Sequence, residues 1–283
     1  MSDDKQHFDL IKRGEKAPSP KGTLTFVGLR LLDLPIQYAL LSPNGLGTNL
    51  LAQVGVTSVS SPDGIAALLS LSPALLSAGL PAFEHLGTGS LLLAMAAGST
   101  AKQIYWQTRI SQESFPPPAA AAVSVYNTLV NSANSLLFMT LATTSLRSGP
   151  LVTLPVGGAD GTVVPLSVAI GTLCYVVGMG IETLSEVQRS NFKAKPENKG
   201  KVCKEGLWGY ARHVNYFGYA LWRGGYCMAA SGWIGGLAMG LFQGWDFSTR
   251  AIPVLDSYCG DRYGEQWAQF KRDVPYKIIP GVY

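Results

Sequence analysis

Charged side chains are scarce in this sequence. They make up 14% of the 283 residues, whereas soluble domains carry about 25%. Of the 22 Lys and Arg residues, five lie in residues 1–21, seven in 189–212 and five in 250–277, and long apolar runs separate these blocks. This segregation predicts an integral membrane protein with its basic blocks on the cytoplasmic side. The net charge of +4 then indicates contact with membrane lipids and not with nucleic acid.

Cysteine is also rare, and its spacing excludes two classes of protein. The four cysteines contain no Cys-x-x-Cys pair. Neither a zinc site nor a disulfide framework is indicated, so we predict no metal site and expect buried free thiols. Residues 1–20 lack an apolar stretch, and we therefore expect no cleavable signal peptide but a cytoplasmic tail over residues 1–21.

Apolar windows close to the length of about 20 residues that a membrane helix needs recur along the chain. The seven windows are residues 24–41, 64–83, 87–106, 119–146, 163–184, 216–231 and 233–247. They predict an all-α fold, a polytopic transmembrane helix bundle of about six to seven membrane segments. Polar, Gly-rich or Pro-rich stretches at 42–63, 148–161 and 188–205 read as loops.

The first window is the weakest, because Arg30, Asp33 and Pro35 interrupt it. Arg30 and Asp33 are three residues apart and can pair on one helix face, which lowers the cost of a membrane position. A helix that lies at the membrane–water interface is an equally good interpretation of this window. If all basic blocks are cytoplasmic, an even number of crossings precedes residue 185, and we expect window 24–41 to be the one that does not cross.

The fourth window carries a stripe of polar residues at helical spacings of three and four. Its members are Tyr126, Asn127, Asn131, Asn134 and Ser135. Polar groups inside a membrane helix face protein or a wet cavity. The stripe therefore either forms hydrogen bonds between helices or lines a substrate cavity.

The last two windows are short, which favours a tight hairpin over two full crossings. Arg223 in the first of them is an intramembrane charge, and such a charge is by default a candidate site. Upstream, Glu182 and Glu186 lie on one helical face at the end of the fifth window. They either form a solvated helix end or border a ligand.

Residues 206–218 hold the densest chemistry in the chain. Between glycines, this run places Trp208, Tyr210, Arg212, His213, Asn215, Tyr216 and Phe217. Arginine offers a forked donor for phosphate, and asparagine both donates and accepts. The aromatic side chains provide flat faces for a ring. The run predicts a site where a polar ligand meets a membrane protein.

Several motifs resemble known reductases. The pattern Trp208-Gly209-x-Ala211-Arg212-His213-x-Asn215-Tyr216-x-Gly218, then Tyr263-Gly264-x-x-Trp267 and the ending Val274-Pro275-Tyr276, resembles delta-14 and delta-7 sterol reductases. The stretch Glu182-x-x-x-Glu186-x-Gln188 is more similar to shorter membrane proteins with a steroid 5-alpha-reductase C-terminal domain. The resemblance covers about residues 180–283. Tyr219 departs from it, because both families usually carry an acid there.

The resemblance implies an NADPH-dependent reductase of a carbon–carbon double bond in a sterol-like, steroid-like or enoyl lipid, located in the endoplasmic reticulum membrane. It divides the chain into the tail, membrane helices on the substrate side at 22–184 and a reductase-like domain with the cofactor motif at 185–283. The implied NADPH-binding residues are Glu186, Arg189, Lys193, Trp208, Arg212, His213, Asn215, Tyr216 and Tyr263.

Reduction also needs a proton donor, for which the sequence provides no motif. Tyr105 and Glu84, at the ends of two windows, are the catalytic candidates by chemistry and depth, and His85 and Tyr175 are equivalent by the same criteria. All of them also suit an interfacial belt. Two other functions stay open: a membrane methyltransferase resembling isoprenylcysteine carboxyl methyltransferases, and a non-catalytic lipid-binding protein. The ending Val274-Pro275-Tyr276 argues against the methyltransferase.

Overall fold

The computed structural model describes residues 16–71, 87–155 and 161–283, and within these ranges the chain is predominantly helical. The helices are α1 (Pro20–Leu41), α2 (Leu46–Gln53), α3 (Pro62–Leu71), α4 (Thr88–Tyr105), α5 (Pro117–Met139), α6 (Leu166–Ala194), α7 (Val214–Asp246), α8 (Ile252–Tyr263) and α9 (Glu265–Asp273). Strands β1 (Leu151–Leu154) and β2 (Thr162–Pro165) pair antiparallel. The predicted all-α helix bundle is confirmed.

Three helical runs among the described residues are long and apolar enough to cross a membrane, judged by length and composition. They are Pro20–Leu41, Leu166–Ala194 and Val214–Tyr263. The first of them includes the segment that we expected not to cross. That expectation is not supported, because the helix is 22 residues long and the two charged residues in its interior, Arg30 and Asp33, are buried.

The charges of α1 are neutralised inside the bundle. Arg30 Nη1 donates to Asp33 Oδ2 at 3.2 Å, and both side chains are fully buried. Asn131 Nδ2 on α5 donates to the same Asp33 oxygen at 2.7 Å. The predicted pairing of Arg30 with Asp33 is confirmed, and the hydrogen bond from Asn131 holds α1 against α5.

The polar stripe of α5 faces protein. Asn127, Asn131, Asn134 and Ser135 are buried, and Ser135 Oγ donates to Gln37 Oε1 of α1 at 2.7 Å. These bonds support the first of the two interpretations, hydrogen bonding between helices. Tyr126 differs from the other members of the stripe in being 43% exposed.

Helices α6 and α7 pack backbone to backbone through glycines seven residues apart, or about two turns. A Cβ atom on Gly178 would lie 2.5 Å from Trp222 N, and one on Gly225 would lie 2.5 Å from Gly171 O. Only small residues allow membrane helices to approach so closely. This contact fixes α6 and the first part of α7 as an antiparallel pair, and it brings their polar ends together.

Helix α7 folds back on itself at Ser231 and Gly232. Gly232 has φ 75°, a conformation that glycine adopts without strain. A Cβ atom on Gly224 would lie 3.1 Å from Gly236 O and 3.3 Å from Gly240 Cα, so the two arms, residues 214–230 and 233–246, run antiparallel. The predicted tight hairpin is confirmed.

Some predicted boundaries were wrong. The stretch 42–63 contains α2, and 148–161 contains β1. Helix α6 continues to Ala194, which takes the first seven residues of the predicted loop 188–205. Helix α5 ends at Met139 and not near 146, because Val59 N donates to Met139 O and Leu141 N to Thr57 O. Most of window 64–83 lies outside the described residues.

Candidate functional site

A buried carboxylate organises the polar end of α6. The Glu186 side chain is 4% exposed and accepts three hydrogen bonds. Arg189 Nη2 donates at 2.6 Å, Asn215 Nδ2 at 2.9 Å and Trp106 Nε1 at 3.3 Å. Glu186 therefore joins the end of α4, α6 and the start of α7, and its oxygens act as acceptors.

A second carboxylate lies one turn deeper. Trp222 Nε1 donates to Glu182 Oε2 at 2.6 Å, and Lys102 of α4 forms an ion pair with the other oxygen. Glu182 and Glu186 thus share one face of α6, as their spacing predicted, and each is bonded to an indole. The interpretation as a solvated helix end was wrong, because both carboxylates are enclosed by α4 and α7.

The predicted motif at 206–218 begins as a short turn that packs against α6. Trp208 is buried and its Nε1 donates to Ser185 O at 2.7 Å. The Arg189 guanidinium lies 5.1 Å from the centre of the Trp208 ring system, a cation–π distance. Gly206 has φ 60°, and a Cβ there would meet the Gln188 side chain at 2.5 Å, so the turn requires glycine.

Arg212 holds the C-terminal segment. Its Nη1 donates to Val274 O at 2.5 Å and to Pro275 O at 2.9 Å. Its backbone amide donates to Tyr276 O at 3.0 Å. The guanidinium that the motif suggested for phosphate is thus used, at least through Nη1, to fix residues 274–276.

His213 is a neutral ring in an aromatic stack. Its side chain is enclosed, and burial, followed by repulsion from Arg212, lowers its pKa from 6.5 to about 3. Its ring stacks on Tyr216 at 5.4 Å, and Tyr216 stacks on Phe247 at 4.4 Å. The stack connects the motif to the end of the second arm of the hairpin.

Two further cofactor candidates meet at the C-terminal end of α6. Lys193 Nζ donates to Tyr263 OH at 3.0 Å and lies 4.7 Å from the centre of its ring. Arg262 approaches the same ring at 5.6 Å. Lys193 is seven residues after Glu186, about 10 Å along the helix. Cationic and aromatic side chains therefore line α6 from Glu182 towards its C-terminal end.

The two catalytic candidates that the structure describes, Tyr105 and Tyr175, do not join this cluster. Tyr105 is the last residue of α4 and is 43% exposed, and Glu84 lies outside the described residues, as does His85. Tyr175 is buried in the bundle, where its hydroxyl donates to Met95 O at 2.7 Å. Over the residues that the structure describes, no group of three or more His, Cys, Asp or Glu side chains is placed to hold a metal ion.

The sequence did not single out Lys102, Trp106 and Trp222 as site residues. Lys102 and Trp106 are four apart at the end of α4, a spacing that places them on one helix face. Their carboxylate partners are each 80 residues away. Only the packing of α4 against α6 brings these residues to their carboxylates. Helical periodicity could therefore place Lys102 and Trp106 on one face, but it could not identify their partners.

The comparisons with known proteins give one family and two kinds of relative. Residues 126–273 match the family described as "Protein of unknown function (DUF1295)". The "Probable O-methyltransferase ustE" of Ustilaginoidea virens is 34% identical over 90% of this chain and 84% of its own length. The "Delta(14)-sterol reductase" of Neurospora crassa is 27% identical over 41% of this chain and 33% of its own. "Delta(14)-sterol reductase ERG24" of Saccharomyces cerevisiae is 34% identical over 33% of this chain and 22% of its own.

Proposed function

Since the chain belongs to the DUF1295 family, we propose that it is a membrane-embedded, NADPH-dependent reductase of a carbon–carbon double bond in a hydrophobic lipid. The observation that carries the proposal is the arrangement around Glu186, where cations, an amide and aromatic faces converge at the polar end of α6. Relatives named Delta(14)-sterol reductase support the reaction class, although this chain spans about a third or less of their length.

The residues present suit a nicotinamide dinucleotide. Arg189, Lys193 and Arg262 are cations for phosphate groups, and the partly exposed Tyr263 offers an aromatic face, whereas Trp208 is buried beneath Arg189. When bound, NADPH supplies the hydride. The Tyr216 and His213 rings stack on each other and are suited to packing against a ring, and burial lowers the pKa of His213 to about 3, so this histidine holds no proton to donate near neutral pH.

The second half of the reduction is a proton, and Tyr219 is the donor that the arrangement favours. The oxygens of Glu182 and Glu186 are already occupied as acceptors of hydrogen bonds from cations and indoles. The Tyr219 hydroxyl accepts from Arg223 Nε at 3.2 Å, and its own proton is therefore available to an acceptor. Tyr105, by contrast, is the more exposed of the two tyrosines.

Localisation follows from the same proposal. The substrate is a sterol-like, steroid-like or enoyl lipid that enters from the bilayer, and the membrane is that of the endoplasmic reticulum. The basic blocks, including Lys193, then lie on the cytoplasmic side, where NADPH is available. Membrane lipids cover the exposed apolar side chains of the hairpin, such as Ile234 and Leu241.

The experiment is a ligand titration of the full chain in phospholipid nanodiscs, with thermal unfolding as the readout. NADPH that binds the folded state raises the unfolding temperature as its concentration exceeds Kd. Asn215→Ala and Arg189→Ala should weaken this protection. Arg272→Ala is the matched control, because Arg272 pairs with Glu265 on the exposed face of α9. Absence of protection of the wild-type chain by NADPH contradicts the proposal.

An O-methyltransferase is the second candidate, because the relative matched over 90% of this chain carries that name. Its methyl donor would be S-adenosylmethionine, which is titrated in the same assay. Protection by S-adenosylmethionine and not by NADPH supports the transferase. Protection by neither supports a non-catalytic lipid-binding protein.

A further inference from the structure

Arg223 is a buried cation whose described contacts are all with neutral groups. It is 1% exposed, on the first arm of α7. Nη2 donates to Asn127 Oδ1, Nη1 to Asn131 Oδ1 at 3.5 Å, and Nε to the Tyr219 hydroxyl at 3.2 Å. The guanidinium also lies 4.3 Å from the centre of the Trp222 ring system. Amide oxygens and ring faces solvate the cation, but none of them carries a compensating charge.

The nearest carboxylate in this network is committed elsewhere. Asp33 pairs with Arg30 and accepts from Gln37 and Asn131, so it reaches Arg223 only through the Asn131 amide. The network therefore holds two guanidinium groups and one carboxylate. A charge buried without a partner is strongly unfavourable, and intramembrane charges face a partner or a ligand pathway.

Arg223 also has donors to spare. A guanidinium carries five N–H groups, and three of them are used here, one at the limit of hydrogen-bonding distance. Carboxylates match the fork of two such donors. The position is one helical turn deeper than Tyr219, on the same face of α7 as Asn215. It lies on the bilayer side of the proposed cofactor residues.

We propose that Arg223 anchors the carboxylate of an apolar acid, and that this acid is the substrate class of the protein. The identification of the acid as substrate rests on the proposed reductase function, whereas the anion site itself does not. The carboxylate accepts from the remaining N–H groups on Nη1 and Nη2, and the apolar body lies among the membrane helices. The head group then sits beside the Tyr219 hydroxyl.

The test compares an acid with the matching alcohol. Oleate and oleyl alcohol share one chain and differ in the charge of the head group. Each is titrated against the full chain in phosphatidylcholine nanodiscs, with thermal protection as the readout. Oleate should bind about tenfold tighter than oleyl alcohol or better, as one charge-assisted bond provides. Equal binding of the two overturns the proposal.

Two arginine variants test whether the preference for oleate depends on Arg223. Arg223→Gln should abolish it, whereas Arg147→Gln, at an exposed arginine bonded to Leu141 O, should keep it. Should Arg223→Gln fail to fold, Asn127→Asp decides, since it places a permanent carboxylate against Arg223. That variant should unfold at a higher temperature and lose the preference for oleate; an unchanged preference in it overturns the proposal.

NADPH protection is measured on the same samples without oleate. A preference for oleate without NADPH binding leaves the anion site standing and removes the reductase. NADPH binding without a preference for oleate removes the anion site and leaves the proposed reductase standing.

Discussion

Asn215 donates a 2.9 Å hydrogen bond to Glu186 across the contact between α6 and α7. The two residues are 29 positions apart, and their partnership depends on the glycines that bring the two helices together. Glu186 in turn orients Arg189 above the Trp208 ring system. The polar end of the bundle is therefore preorganised through one carboxylate.

The first prediction concerns that carboxylate. Glu186→Ala leaves Asn215, Trp106 and the partly exposed Arg189 without their acceptor, and it should lower the free energy of unfolding by about 1.5–3 kcal/mol, as the loss of hydrogen bonds to a charged group does. It should also reduce NADPH protection. Thermal unfolding in nanodiscs measures both. Glu197→Ala, at an exposed glutamate in the basic loop, is the control and should behave like the wild type.

The contacts of Glu182 and Glu186 show which part of the site the sequence could predict and which part it could not. Spacing along one helix sufficed to place Glu182 beside Glu186 and Arg30 beside Asp33, because both pairs are local. The partners Lys102 and Trp106 depend on how α4 packs against α6, which no local pattern encodes.

The C-terminal motif shows the same limit. Its residue types suggested that Arg212 binds phosphate, since guanidinium groups commonly do. In the fold, the carbonyl groups of residues 274 and 275 occupy Nη1. Backbone acceptors carry no sequence signal, and a structural arginine therefore has the same appearance as a binding arginine.

The second prediction concerns the hydrogen bonds from Arg212 to the carbonyl groups of residues 274 and 275. Arg212→Lys keeps the charge but loses the planar fork, and residues 274–283 should become more open to exchange. Hydrogen exchange of this segment is the measurement, with a loss of about 1.5–3 kcal/mol in protection, typical of bonds to a charged group. Arg272→Lys is the control on α9. Unchanged protection in Arg212→Lys would contradict a role of Arg212 in fixing the C-terminal segment.

The third prediction is a pH dependence. The His213 pKa is about 3 in the folded chain and about 6.5 when unfolded, so between these values only the unfolded state binds the proton. Stability is complete above pH 6.5 and falls as the pH drops towards 3, by about 1.4 kcal/mol per pH unit. Unfolding temperatures between pH 8 and 5 measure it. His213→Phe keeps a ring in the stack and should flatten this profile; an equally steep profile in that variant assigns the effect elsewhere.

The last prediction tests the helix contact on which the whole site depends. Gly178→Ala introduces a Cβ 2.5 Å from Trp222 N, so α6 and α7 must separate. Overpacking of this kind should cost about 1–3 kcal/mol of unfolding free energy. It should also weaken NADPH protection, because Glu186 and Asn215 move apart. Gly180→Ala is the matched control: it lies on the same helix, two residues away, and its Cβ meets nothing within 4 Å. Since alanine favours helix over glycine, that variant should be neutral or slightly more stable. Equal behaviour of the two variants would show that the glycine contact does not hold the site together.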